Sequence, residues 1–242
     1  MLVRSQVKYI QSLSHKKHRE EERLFIAEGP KIVDEFLRAA PQLLHQLFAT
    51  PEWIAAHPGT NVEVFEVTEG ELARISQLST PHQVLALVQM FPHREPASPN
   101  GRLTLALDGI QDPGNFGTIL RIADWFGVPQ IIAGRESADR YNPKVVQASM
   151  GSLVRVPVHY FDISEWISRN REVSVYATGL NGRPVSEFGK IREGVIIIGN
   201  EARGIDSELL QFANDIITIP GKGEAESLNA AVATGIILSH IT

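Results

Sequence analysis

The chain has 242 residues, 43% of them hydrophobic and 21% charged, and contains no cysteine. That length holds one large domain or two modest ones with cores that fold unaided, and the missing cysteine excludes disulfides, zinc–thiolate sites and thiol catalysis. A net charge of -5 gives no global footprint for nucleic acid. Apolar runs such as Val195–Ile198 fall far short of the roughly 20 residues that span a bilayer. The N-terminal stretch lacks the apolar centre of a signal peptide, so the expectation is a cytoplasmic protein with no membrane segment.

The chain opens on a local excess of cations. Arg4, Lys8, Lys16, Lys17 and Arg19 all precede the first acid, Glu20, and form a candidate RNA-facing patch or simply a solvated basic helix end. Helical patterns follow at 30–40 and 69–78, alternating with strand-like runs at 43–50, 62–68 and 83–90. This first half reads as a small α/β domain over residues 1–94. "FPHREPASPNG" has three prolines, a glycine and no hydrophobic period, which marks a linker at about 92–101.

Beyond the linker, residues 102–242 read as a second domain. Apolar strands are expected at 102–110, 130–134, 154–160, 173–180, 194–201 and 215–221, with helices between most of them. Such runs indicate a parallel sheet covered on both faces. Ligands collect beyond the carboxyl ends of strands in such sheets. Three of these ends enter polar, glycine-rich loops: "LDGIQDPGNFGTILR", "IIIGNEARGI" and "ITIPGKGEAESLN".

In the first loop, Pro113 and Gly114 suggest a turn and Asn115 a helix cap, with Ile119, Ile122, Ala123 and Phe126 facing inward. Arg121 could point back to the strand ends or simply be solvated, and Glu201 reads as an ordinary charge at a helix start. In the last loop Ser227 reads as an N-cap and Asn229 as a first-turn residue, with Leu228, Ala231, Val232, Gly235 and Ile236 forming the buried helical face. Neither the G-x-G-x-x-G fingerprint nor a P-loop occurs, which disfavours a nicotinamide-dependent oxidoreductase or a nucleotide hydrolase. The eight histidines show no metal-ligand spacing, so no metal is expected.

Taken together, "DPGNFGTILRIADWFGV", "IIIGNEARGI" and "IPGKGEAESLNAAVATGI" resemble the three motifs of the SpoU, or TrmH-type, RNA ribose methyltransferases of the SPOUT superfamily, over Leu103–Thr242. The N-terminal half resembles the L30e-like substrate-binding domain that precedes many such catalytic domains. The resemblance implies an α/β catalytic domain with a deep trefoil knot, a homodimer formed through it, and S-adenosyl-L-methionine as methyl donor. It implies catalytic roles for Asn115, Arg121, Glu201, Ser227 and Asn229, and cofactor contacts at Thr178, Gly179, Gly199, Ile219 and Leu228. The implied substrate is a ribose 2'-hydroxyl of structured RNA, ribosomal rather than transfer RNA. The competing expectation is a catalytically silent RNA-binding protein of the same fold, against which the intact set of five polar residues argues.

Overall fold

The computed structural model describes residues 1–242, which form two compact units: Met1–His93 with Asp139–Arg155, and Arg94–Ala138 with Val156–Thr242.

The first unit begins with α1 (Arg4–Ser12) and α2 (Lys16–Glu22). Val7 and Ile10 of α1 turn inward, leaving Arg4 and Lys8 exposed. The left-handed Arg23 (φ 57°) ends α2 and swings the chain into β1 (Leu24–Glu28). Next come α3 (Pro30–Ala39), β2 (Leu44–Ala49), α4 (Pro51–Ala56), β3 (Val64–Glu66), α5 (Glu69–Ile75) and β4 (Val84–Gln89). Helices α3 and α4 both open on a proline, whose fixed φ suits the first helical position. The strands lie in the order β1-β4-β2-β3, with β4 antiparallel to both neighbours and β2 parallel to β3. β2, β3 and β4 are shorter than the expected runs. β1 is absent from the expected strands: its apolar run is only four residues, Leu24–Ala27, between the charged end of α2 and Glu28.

The second unit carries β5 (Leu103–Leu107), α6 (Pro113–Trp125) and β6 (Ile131–Ala133). The chain then contributes α7 (Pro143–Ser149) to the first unit, where α7 packs on β1. It returns for β7 (Val158–Tyr160), α8 (Ile163–Ser168), β8 (Val175–Pro184), β9 (Gly194–Ile198), α9 (Ser207–Leu210), β10 (Asp215–Thr218) and α10 (Ala230–Ile241). The six strands run in the order β10-β8-β9-β5-β6-β7 and every pair is parallel, as the apolar runs predict. β5 and β9 are buried at every position.

Three expectations need correction. Asp139–Arg155 reads in the sequence as part of the second domain, yet it packs with the first unit, so the strand expected at 154–160 shrinks to β7 behind a 3-10 turn at Ser152–Val154. Arg19 does not face RNA. It is 2% exposed, its Nη1 donates to the carbonyls of Leu13 (3.0 Å) and Ser14 (2.7 Å), and its Nη2 pairs with Asp139 at 2.7 Å. A guanidinium enclosed in this way has no access to a phosphate.

The third correction concerns the last helix. The residues of α10 that are buried are Ala230, Ala231, Thr234, Ile237, Leu238 and Ile241, while Val232 is 51% exposed and Leu228 precedes the helix. α10 is apolar nearly all round, so its period cannot tell which side the core will cover.

Candidate active site

The site is assembled at the carboxyl ends of β8, β9 and β10 and at the N-termini of α6 and α10. α6 starts earlier than the sequence suggests. Asp112, not Asn115, is its N-cap, accepting from the Asn115 N–H at 2.7 Å, and Pro113 takes the first helical position. Asn115 therefore falls inside the first turn with its side-chain amide released from capping.

That amide is used elsewhere. Asn115 Nδ2 donates to Glu201 Oε1 at 2.6 Å, and Asn115 Oδ1 accepts from Asn229 Nδ2 at 2.8 Å. Asn229, not Ser227, caps α10: its Oδ1 accepts from the N–H groups of Ala231 (3.0 Å) and Val232 (3.2 Å). The helix amides admit only an acceptor, which fixes the Asn229 amide and in turn the Asn115 amide. Donors thus point in one direction, from the N-terminus of α10 through two asparagines to the Glu201 carboxylate. Ser227 and Arg121 stay outside this chain, each exposed and with no side-chain hydrogen bond or ion pair in the protein. Six residues on a helix turn through about 240°, so Arg121 projects from a different side of α6 than Asn115 does.

A hollow of about 140 Å³ adjoins Glu201. Thr178, Gly179, Gly199, Ile219 and Leu228 all line it, and Ile198, Ile217, Ala233 and Ile237 make the rest of its wall largely apolar. Its mouth at β8 owes its shape to a register break. Ile216 and Ile217 are adjacent on β10, yet they pair with Ala177 and Arg183, so residues 178–182 loop out of the ladder. Gly182 lets the chain close again, because a Cβ there would strike the Ile216 carbonyl. Thr178 Oγ1 donates to the Ile197 carbonyl at 2.9 Å, and Thr218 Oγ1 to that of Gly179 at 3.0 Å, holding the loop at both sides. At Gly199 a Cβ would lie 2.6 Å from the Gly204 carbonyl carbon, so only glycine lets the next loop fold back against the hollow.

At the end of β5, Asp108 accepts from the Asp206 N–H at 2.8 Å. Burial pushes its carboxyl above the usual range, and the neighbouring Asp206 charge adds to the effect.

The arrangement is a directed polar chain beside an apolar hollow at three strand ends, and this combination can be compared with known proteins. The SpoU rRNA methylase family matches residues 102–239, more than half of the chain. The chain belongs to the SpoU rRNA methylase family. In this SpoU chain, residues 4–86 match a second family, the MRM3-like substrate-binding domain. The chain is 32% identical to the 23S rRNA (guanosine(2553)-2'-O)-methyltransferase RlmP of Bacillus subtilis, over 97% of this chain and 95% of that protein. Among solved structures it is similar to a TrmH-family protein from Porphyromonas gingivalis, at 38% identity and a TM-score of 0.88, covering 99% and 98% of the two chains. An S-adenosylmethionine-bound rRNA methyltransferase from Sinorhizobium meliloti is 34% identical, with a TM-score of 0.85 over 99% and 95%.

Two contributors to the SpoU site are absent from the sequence-based set. Gly182 had a signal, since Asn181–Gly182 is a turn dipeptide directly after the strand expected at 173–180. Asn200 sits between two noted residues, and only its contacts reveal it.

Proposed function

We propose that the protein transfers a methyl group from S-adenosylmethionine to a ribose 2'-hydroxyl of ribosomal RNA. The observation that carries this reading is the Asn229–Asn115–Glu201 chain set against the hollow. The donor's chemistry fits the residues present: apolar walls suit an adenine face, main-chain groups at three strand ends suit its polar edges, and Gly199 leaves room where a side chain would intrude. When bound, the donor supplies a methyl on a positively charged sulfur. The C–S bond breaks as the C–O bond forms, and the hydroxyl proton must leave.

The protein's own residues contribute position and charge. Holding hydroxyl and donor in line is worth about 7–11 kcal/mol at best. The two asparagines fix Glu201, and Glu201 offers a carboxylate to the reacting region. Arg121, unpaired and exposed, serves the reacting nucleotide as proton acceptor or as a cation at its phosphate. A guanidinium is normally held protonated, so proton acceptance would require strong local perturbation. Ser227 would join on RNA binding.

The same proposal includes a homodimer built on the second unit, a trefoil knot around the last helix, and a cytoplasmic location. The dimer is supported by apolar side chains that the single chain leaves uncovered, Trp125 at 84% exposure on α6 and Val232 on α10. No helix is long and apolar enough to cross a membrane. Arg4, Lys8, Lys16 and Lys17 are exposed and supply the RNA-facing charge of the first unit. The deciding experiment maps 2'-O-methyl marks across total RNA with and without the gene. One ribosomal mark should disappear, and retention of every mark overturns the reading.

A further inference from the structure

The loop that carries Glu201 is held by a side chain that has no place in the proposed chemistry. Asn200 Nδ2 donates to the Gly109 carbonyl at 2.7 Å, across to the loop between β5 and α6. Its Oδ1 accepts from the N–H groups of Ala202 (2.9 Å) and Arg203 (3.1 Å) in its own loop. Its main chain pairs with Gly204 in both directions, at 3.0 and 2.9 Å. The other bonds fix Asn200 within its own loop, so the single Nδ2 bond to Gly109 is what ties that loop to the one before α6.

The two loops it joins carry opposite ends of the polar chain. Asn115 follows Gly109 by six residues through the start of α6, and Glu201 is the next residue after Asn200. The 2.6 Å contact between Asn115 and Glu201 depends on the register of one loop against the other. Asn200 also lines the hollow beside Glu201, so a shift of its backbone moves the wall and the carboxylate together.

We propose that Asn200 is a positioning residue for methyl transfer, acting through Glu201 by locking its loop to the Gly109 carbonyl. The proposal rests on the reaction inferred above. Aspartate at this place isolates the decisive bond. It keeps an oxygen for the Ala202 and Arg203 N–H groups, but it presents a second oxygen to the Gly109 carbonyl and so replaces attraction with repulsion. Only a protonated carboxyl restores a donor there. The Asn200→Asp enzyme should gain activity relative to wild type as pH falls, because acid repairs the missing bond.

The test measures single-turnover methyl transfer from pH 5 to 8.5 on ribosomal RNA lacking the mark, for wild type, Asn200→Asp, Asn200→Ala, Glu201→Gln and Asn200→Ala/Glu201→Gln. Misplacement of a reacting group can cost about 10²-fold, and a loss of that order is expected for Asn200→Ala. The Asn200→Asp to wild-type ratio should rise toward acid, and the double variant should be little slower than Glu201→Gln alone, since residues acting as a unit are not additive. A flat ratio across pH, or penalties that multiply, overturns the proposal, including where a variant is merely unstable. Failure of wild type to methylate any ribosomal RNA would instead sink the reaction itself, a distinguishable result.

Discussion

Asn229 donates to Asn115 at 2.8 Å while its own carbonyl oxygen accepts two backbone N–H groups of α10, so a single side chain both starts a helix and aims its neighbour. Substitution separates the cap from the proposed catalytic role. Asn229→Asp keeps a cap of equal quality and adds a favourable charge at the helix N-terminus, but it turns the donor toward Asn115 into an acceptor. Its melting temperature should stay close to wild type while methyl transfer falls by about 10²-fold. Asn229→Ala should lose both, the cap costing about 0.5–2 kcal/mol. Thermal melts beside single-turnover rates check the pair, and an active Asn229→Asp enzyme means the donor direction is not needed.

Arg121 is exposed and unpaired, so its removal should leave stability within about 0.5 kcal/mol of wild type. If it acts on the reacting nucleotide, Arg121→Ala should slow transfer on saturating RNA by about 10² to 10⁴-fold and leave S-adenosylmethionine affinity unchanged. Arg121→Lys should recover much of the rate if the role is simple attraction to phosphate, and little if the guanidinium fork is required. Near-normal turnover of Arg121→Ala removes it from the mechanism.

Gly182→Ala tests the origin of the hollow. The added Cβ meets the Ile216 backbone, which has no flexible end to move aside. The loop 178–182 must shift, so titration calorimetry should show cofactor binding lost or greatly weakened, with stability reduced by about 1–3 kcal/mol. Wild-type affinity in this variant would show that the register break does not shape the site.

The cations of the first unit divide into two classes. Arg19→Ala leaves Asp139 without its buried partner and should destabilise the protein by about 3–5 kcal/mol, without lowering the RNA affinity of molecules that remain folded. Lys16→Glu/Lys17→Glu should do the reverse, because their pairs with Glu20 and Glu21, at 3.7 and 3.8 Å, lie in solvent and contribute little. RNA affinity measured across a salt series should fall in that double variant with a shallower slope. An unchanged slope would remove these lysines from the RNA surface.

Stability should also carry a pH signature from Asp108. Its folded carboxyl is held above the ordinary range by burial, so the folded state binds this proton more tightly than the unfolded chain does. The contribution is therefore most favourable below the unfolded carboxylate pKa and declines as pH rises through the raised folded value. Asn at this position still accepts from Asp206 but cannot ionise, so the advantage of Asp108→Asn over wild type should grow as pH rises from acid to neutral. Denaturant melts of both proteins across that interval provide the check, and a constant difference refutes the assignment.

The sequence by itself determined the parallel character of the second sheet, because strands buried on both faces must be apolar throughout and the helices between them must cross over. It also singled out loops that bound the hollow, since glycine, proline and polar residues gather where strands such as β9 and β10 end. Tertiary structure decided the rest. Asn115 and Asn229 exchanged the roles their local sequence suggests, because Asp112 was available to cap α6 while the fold placed the N-terminus of α10 against it. Arg19 became a buried ion pair through Asp139, which lies 120 positions away. α10 is apolar on nearly every side, so only its packing against α6 and the turn at Val185–Glu187 selected which side to bury and left Val232 exposed. Periodicity records what a segment can bury. Which partner buries it, and which polar group is left free for chemistry, depends on contacts between residues far apart in the chain, whose energies no local pattern contains.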